Sequence, residues 1–136
     1  MVHRLSQVAK VGPPHGRRPR AWHALALLQA LYYLVTGLWP LLHLQSFLKV
    51  TGPKTDLWLV KTLGVLISVI GTVLGMAGVQ QSTTRELALL GVGSAAGLTA
   101  IEVIYVARGR ISRVYLLDAV AELALLIGWG VGWRTP

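Results

Sequence analysis

Three carboxylic acids, Glu102, Asp118 and Glu122, lie in stretches of sequence that are otherwise almost free of charge. A lone charged side chain in hydrocarbon costs at least about 2.5 to 3.5 kcal/mol on insertion scales, so acids in such surroundings should face one another or a cation. Lys61, about one turn inside another apolar stretch, is the obvious counter-ion. Three carboxylates facing one ammonium would leave at least one acid that favours binding a proton. These residue types indicate a proton-linked or cation-binding site.

The spacing of these residues around Arg110 supports a shared site. Glu102 is eight residues before Arg110 and Asp118 is eight after it, while Tyr105 and Tyr115 are each five residues away. In an antiparallel helical hairpin that turns at Arg110, each pair would lie at the same level. Residues three or four apart on a helix share a face. The pattern therefore predicts that acids and tyrosines of both helices point into one interior.

Four long apolar runs must position these side chains. They cover residues 21–44, 57–79, 87–107 and 114–133, and each is long enough to cross the hydrocarbon core of a bilayer as a helix. Thr84 is placed to cap the third run. The short connections make consecutive helices antiparallel neighbours. The sequence thus predicts an all-α, integral membrane four-helix antiparallel bundle over residues 21–136, preceded by a mobile basic tail at residues 1–20.

These spans place the candidate residues in one leaflet. Lys61, Glu102 and Asp118 would each lie roughly 6 to 8 Å from the same surface, and His43 ends the first span on that side. Glu122 would lie deepest, about 12 Å in, where its charge can least easily reach water. The predicted ligand- or proton-binding residues are Lys61, Glu102, Asp118, Glu122, His43, Tyr105 and Tyr115, and none of them is assigned a catalytic role.

Other interpretations of the polar residues stay open. Lys61 and Asp118 are near enough to the interface to snorkel, so the charged network could simply fix the register of the helices. His43 and the acids have the right types for a metal, but no H-x-x-E or E-x-x-H spacing is present, so we predict no metal and no other cofactor. Tyr32 and Tyr33 in mid-span could bond between helices or line a cavity.

The composition excludes several classes of function. Hydrophobic residues make up 54% of the 136 residues, charged residues 13%, and cysteine is absent, which excludes disulfides and thiolate chemistry. The net charge of +8 comes from residues scattered over the tail and loops, which indicates membrane flanks and no nucleic-acid partner. The basic tail before the first span favours an N-terminus inside, although basic residues are otherwise nearly balanced between the two sides.

Small residues recur at helical spacing in the second and third spans. The pairs Gly71-x-x-x-Gly75 and Gly93-x-x-x-Gly97 would allow helix backbones to approach closely. Such pairs serve packing within one chain as well as contact with another. They therefore indicate either intramolecular packing or an interface for a homodimer or another membrane protein, besides contact with the lipid bilayer.

Residues 50–62 read VTGPKTDLWLVKT. This segment resembles part of a group of small four-helix bacterial membrane proteins that have no assigned activity, and the resemblance implies a multi-pass protein of the bacterial inner membrane. In size, buried glutamate and charge balance the chain is also similar to small multidrug resistance transporters. Those proteins carry their essential glutamate in the first helix, where this chain has none. Four spans with buried acids are likewise similar to the sterol-isomerase and sigma-2 receptor group.

The sequence as a whole favours binding or transport of a cation, a proton or a small lipophilic ligand at the acidic cluster. The alternatives are a non-catalytic structural or accessory subunit of a membrane complex, and a lipid-modifying membrane enzyme that uses the acids as general acid and base. The expectation leans away from an enzyme, since no nucleophile triad, phosphate loop or dinucleotide motif is present.

Overall fold

A computed structural model describes residues 19–134, and within that range every regular element is an α-helix and no strand is present. The helices are α1 (Arg20–Leu42), α2 (Leu44–Thr51), α3 (Leu57–Val79), α4 (Arg85–Ala107) and α5 (Tyr115–Arg134). The helices α1, α3, α4 and α5 are long and apolar enough to cross a membrane, as predicted. All but the last two residues of the predicted tail at 1–20 lie outside the described residues.

The short helix α2 was not predicted. Helix α1 contains Pro40, which has no N–H to donate, and it ends at His43, whose φ of −147° and ψ of 78° are not helical. His43 then caps α2, because its Nδ1 accepts a hydrogen bond from the backbone N–H of Ser46 at 3.2 Å. Gly52, with a φ of 96°, ends α2 in a conformation that L side chains rarely adopt. The connection between the first two long helices is therefore partly helical.

Helices α1 and α3 form the most extensive helix pair, and they run antiparallel. Gly37 of α1 meets Gly64 of α3, while Gly78, near the other end of α3, meets His23 and Leu27 near the start of α1. A methyl group added at Gly64 would lie 2.7 Å from the Gly37 carbonyl oxygen. Close backbone contact, which small residues permit, is what holds this pair together.

Helices α4 and α5 form a second pair, which joins the first mainly through α1. Thr84 caps α4 as predicted, since its hydroxyl accepts from the backbone N–H of Leu87 at 3.4 Å. Helix α3 touches α4 far less than it touches α1. Because α3 makes few contacts with α4, space remains between the two helix pairs on the side of α3.

A tryptophan-rich core closes the end of the molecule at the start of α1 and the end of α5. Trp22 and Trp129 are buried there with Ala26 and Ala88, and Trp133 packs on Trp22 with ring centroids 4.9 Å apart. The rings of Trp22 and Trp129 are buried within the protein, with 4% and 1% of their surface exposed. Packing between helices fills this end.

Buried polar bonds link three helices beside this core. The side chain of Gln29 in α1 donates to the carbonyl oxygen of Gly91 in α4 at 2.9 Å and accepts from the indole N–H of Trp129 in α5 at 2.8 Å. Because the amide nitrogen and the amide oxygen of Gln29 both have partners inside the protein, this side chain fixes the relative height and rotation of α1, α4 and α5. This end is accordingly closed by buried aromatic rings and by hydrogen bonds between helices.

Candidate functional site

The opposite end of the molecule contains a cavity of about 240 Å³, here termed the inner cavity. All five helices or their connections contribute to its wall. The carboxylates of Glu102, Asp118 and Glu122 line it. The apolar part of its wall comes largely from Leu59, Val60, Leu63, Ile67, Leu98 and Phe47. The predicted meeting of the three acids in one interior is thus what the structure shows.

Two of the acids are held by adjacent tyrosines of α1. The hydroxyl of Tyr33 donates to Oε2 of Glu122 at 3.1 Å. The hydroxyl of Tyr32 donates to Oδ1 of Asp118. Tyr33 is fully buried, and Glu122 is only 1% exposed, so this bond lies deep in the protein. The tyrosines orient the carboxylates without neutralising their charge.

The third acid, Glu102, has an oxygen without a partner. Its side chain is 5% exposed and lines the inner cavity, and its Oε2 makes no hydrogen bond within the described part of the chain. Its charged neighbours are the carboxylates Asp118 and Glu122. Leaving a buried polar group unsatisfied costs about 1–3 kcal/mol. A ligand that donates a hydrogen bond into the cavity would remove this cost.

The cation at the inner cavity is Lys54, not Lys61. The ammonium of Lys54 lies over the ring of Tyr115, 5.1 Å from its centroid, and 5.7 Å from the centroid of Phe47. It donates to Thr51 Oγ1 at 3.2 Å, and more weakly to backbone carbonyl oxygens of the same loop. Lys54 thus stands at the rim, held by neutral oxygens and aromatic faces, and its charge is available to a ligand.

Lys61, predicted as the counter-ion of the acids, lies outside the inner cavity. The residues of α3 that line the wall are Leu59, Val60, Leu63, Gly64 and Ile67. Lys61 is not among them, and its side chain is exposed. The structure therefore does not bring Lys61 to the acids.

Two further predicted residues also lie apart from the acids. Tyr105 is 39% exposed near the end of α4 and is not part of the cavity wall. His43 is exposed and bonds to Ser46, so its observed contacts are those of a helix cap. Tyr115, in contrast, lines the inner cavity as predicted.

A wider depression, here termed the outer cleft, lies beside the inner cavity and shares part of its wall. It measures about 560 Å³ and lies between the α2–α3 connection and the turn at Gly109 and Arg110. Lys54, Leu59 and Val60 line both spaces. The outer cleft therefore meets the inner cavity beside the ammonium of Lys54.

Several residues of the site could not be selected from the sequence alone. Lys54 follows the Gly52–Pro53 break, which predicts a loop but not its direction. Tyr32 and Tyr33 were predicted either to bond between helices or to line a cavity, and the structure shows both bonding to acids of α5. Among residues 19–134, no group of three His, Asp or Glu side chains is arranged to hold a metal ion.

The small residues that suggested an interface have separate uses. Gly71 and Gly75 lie against α1, where added methyl groups would contact Tyr33 and Ala30 at 3.1 and 3.3 Å. Gly93 and Gly97 have nothing within 4 Å beyond their own helix. The first pair is thus occupied by packing within the chain, and the second pair is open.

Comparison of the chain with protein-family models, with curated protein sequences and with solved structures finds no match. The geometry of the inner cavity is therefore the basis for assigning a function.

Proposed function

We propose that this chain is a multi-pass membrane protein whose long helices span the bilayer as a bundle, and that it binds a small lipophilic cation in the inner cavity. The surface of α1, α3, α4 and α5 supports the first part, since it exposes leucine, isoleucine and valine along the length of these helices. Such a surface is stable against lipid tails and unfavourable in water.

The charges of the cavity support a cationic ligand. Three carboxylates face a space whose nearest ammonium, that of Lys54, is bonded to loop oxygens at the rim. A ligand ammonium would supply the missing positive charge deeper in the cavity. It could also donate to Oε2 of Glu102, the buried oxygen that has no partner. This unpartnered oxygen in an acid-lined cavity is the observation that carries the proposal.

The rest of the wall supports a lipophilic ligand. Leucine, isoleucine and valine side chains and the ring of Phe47 make up most of its surface. Burial of apolar ligand surface contributes roughly 25 cal/mol per Å². A hydrated metal ion would gain nothing from these contacts, whereas an alkyl or aryl ammonium would gain from both the wall and the acids.

Binding of octylamine to the purified protein tests this function. The thermal midpoint in a neutral detergent should rise with octylamine for the wild type. Glu102→Gln and Glu122→Gln keep the shape of the side chains but remove the negative charge, and each should lower the affinity by about tenfold or more, the equivalent of about 1.4 kcal/mol. Glu86→Gln, an exposed change near the start of α4, is the matched control and should respond as the wild type does.

An unchanged octylamine response in both Glu102→Gln and Glu122→Gln would overturn the proposed function. The accessory-subunit alternative makes a different prediction. It depends on the open face of α4 at Gly93 and Gly97, so Gly97→Leu should release a copurifying partner or dissociate an oligomer while leaving the octylamine response intact. Monodisperse monomers of the wild type without a bound partner would count against that alternative.

A further inference from the structure

The inner cavity is polarised along its length. Lys54 lies over Tyr115 at the rim, and Asp118 and Glu122 follow on the same helix, one and two turns deeper. At 1.5 Å per residue, the seven residues from Tyr115 to Glu122 span about 10 Å. A positive group thus stands at one end of the cavity and the negative groups stand toward the other end.

The rest of the cavity wall is largely apolar. Leu59 and Leu63 of α3 line it near the start of that helix, and Ile67 of α3 and Leu98 of α4 line it farther from the rim. Lys54 makes its hydrogen bonds to Thr51 and Gly52 and not to the acids. The site therefore offers charges of opposite sign that are not bonded to each other, within a wall that is otherwise mainly hydrophobic.

From this arrangement we infer that the ligand is zwitterionic, with an ammonium that binds among Glu102, Asp118 and Glu122 and an anionic group that binds Lys54. This inference rests on the proposed function and specifies the second charge of its ligand. With the ammonium at Glu122, which lies farther along α5 than Asp118, the rise of the helix from Tyr115 fits an apolar spacer of about 10 Å between the two charges.

The position of Lys54 between the two spaces explains how a second charge would be accommodated. Lys54 lines the outer cleft as well as the inner cavity, so an anionic group bound there remains close to water. Only the ammonium and the spacer then enter the deep part of the site. Placing the anion at the rim avoids burying it beside three carboxylates, which would be strongly unfavourable.

Three probes of equal chain length test the inference on the full chain in neutral detergent. Octylamine carries only the cation, octanoate carries only the anion, and ω-aminooctanoate carries both. We expect ω-aminooctanoate to bind roughly tenfold more tightly than octylamine, since a charge-assisted bond to Lys54 of about 1.4 kcal/mol corresponds to that factor. Octanoate alone should not bind measurably.

A pair of lysine variants assigns the effect to the rim. Lys54→Met should abolish the preference for the zwitterion, so that ω-aminooctanoate binds no more tightly than octylamine to the same variant. Lys61→Met, an equivalent change at the exposed lysine outside the cavity, should preserve the wild-type preference for the zwitterion.

The possible results separate this inference from the proposed function. If octylamine binds to the wild type but ω-aminooctanoate binds no more tightly, the inference is wrong and the proposed function stands. The same conclusion follows if Lys54→Met retains the preference for the zwitterion. If neither octylamine nor ω-aminooctanoate binds to the wild type, both the inference and the proposed function are wrong. The comparison of probes on the wild type needs no variant, so it remains decisive even if Lys54→Met does not fold.

Discussion

At the scale of single residues, the tyrosines of α1 hold two of the three acids of the inner cavity in place. Tyr32 and Tyr33 are adjacent in sequence, yet they reach Asp118 and Glu122, which lie one turn apart on α5. Each hydroxyl donates to one carboxylate oxygen and leaves the other oxygen for a further partner. Asp118 and Glu122 are thereby held at the wall of the inner cavity.

The substitution Tyr33→Phe should loosen Glu122 and weaken the fold. It removes a buried hydrogen bond of 3.1 Å and leaves a carboxylate oxygen without that donor. The free energy of unfolding should fall by about 1–3 kcal/mol, because a buried group loses its partner. Unfolding in mixed micelles with increasing SDS, followed by circular dichroism, measures this loss.

Tyr105→Phe is the matched control for Tyr33→Phe. It deletes the same hydroxyl group from a tyrosine that is 39% exposed and that lies outside the inner cavity. Its stability should stay within about 0.5 kcal/mol of the wild type. Equal losses in the two variants would contradict the role assigned to the bond between Tyr33 and Glu122.

At the scale of elements, glycine has two distinct uses in the helices. In α1 and α3, Gly37 and Gly64 bring two backbones into contact, which fixes the height of α3 and with it the apolar wall of the inner cavity. In α4, Gly93 and Gly97 face open space. Glycine is therefore structural where α1 meets α3 and unpartnered on the open face of α4.

Alanine substitutions separate these two uses. Gly64→Ala should lower the free energy of unfolding by about 1–3 kcal/mol, because the new methyl group would lie 2.7 Å from a backbone oxygen and must push the helices apart. Gly97→Ala should be neutral or stabilising by up to about 1 kcal/mol, since it adds helix propensity without a clash. SDS titration of both variants checks the contrast, and a similar loss in both would refute it.

At the scale of the whole molecule, the two ends differ in packing. One end is filled by Trp22, Trp129 and the hydrogen-bonded amide of Gln29. The other end holds the three acids, the unpartnered oxygen of Glu102 and the two neighbouring spaces beside Lys54. The helices are thus packed closely at one end and enclose open space at the other.

Single cysteines test the arrangement of the two ends across a membrane. Thr55 and Ser82 flank α3, both are exposed, and the chain contains no cysteine of its own. With the N-terminus inside, a membrane-impermeant maleimide added to intact cells should label Thr55→Cys, at the outer cleft, and should label Ser82→Cys only after the cells are opened. The opposite pattern would reverse the orientation. Labelling of both residues from one side would contradict a membrane-spanning α3.

The sequence alone determined the four long helices and the level of the charged residues along them. Apolar runs of sufficient length specify membrane-spanning helices almost independently of their neighbours, because in lipid each backbone must satisfy its own hydrogen bonds. The level of a residue follows from its distance to the end of its run, so Glu102 and Asp118 were placed correctly side by side.

The tertiary structure determined which way each side chain points around the axis of its helix. Four apolar helices have no strong polar face, so their rotation depends on which side chains interlock. Lys61 is exposed outside the inner cavity, and the helix capped by His43 is followed by the loop that brings Lys54 to the rim. The sequence thus supplied the acids and their levels along the helices, while the tertiary structure placed Lys54 at the cavity.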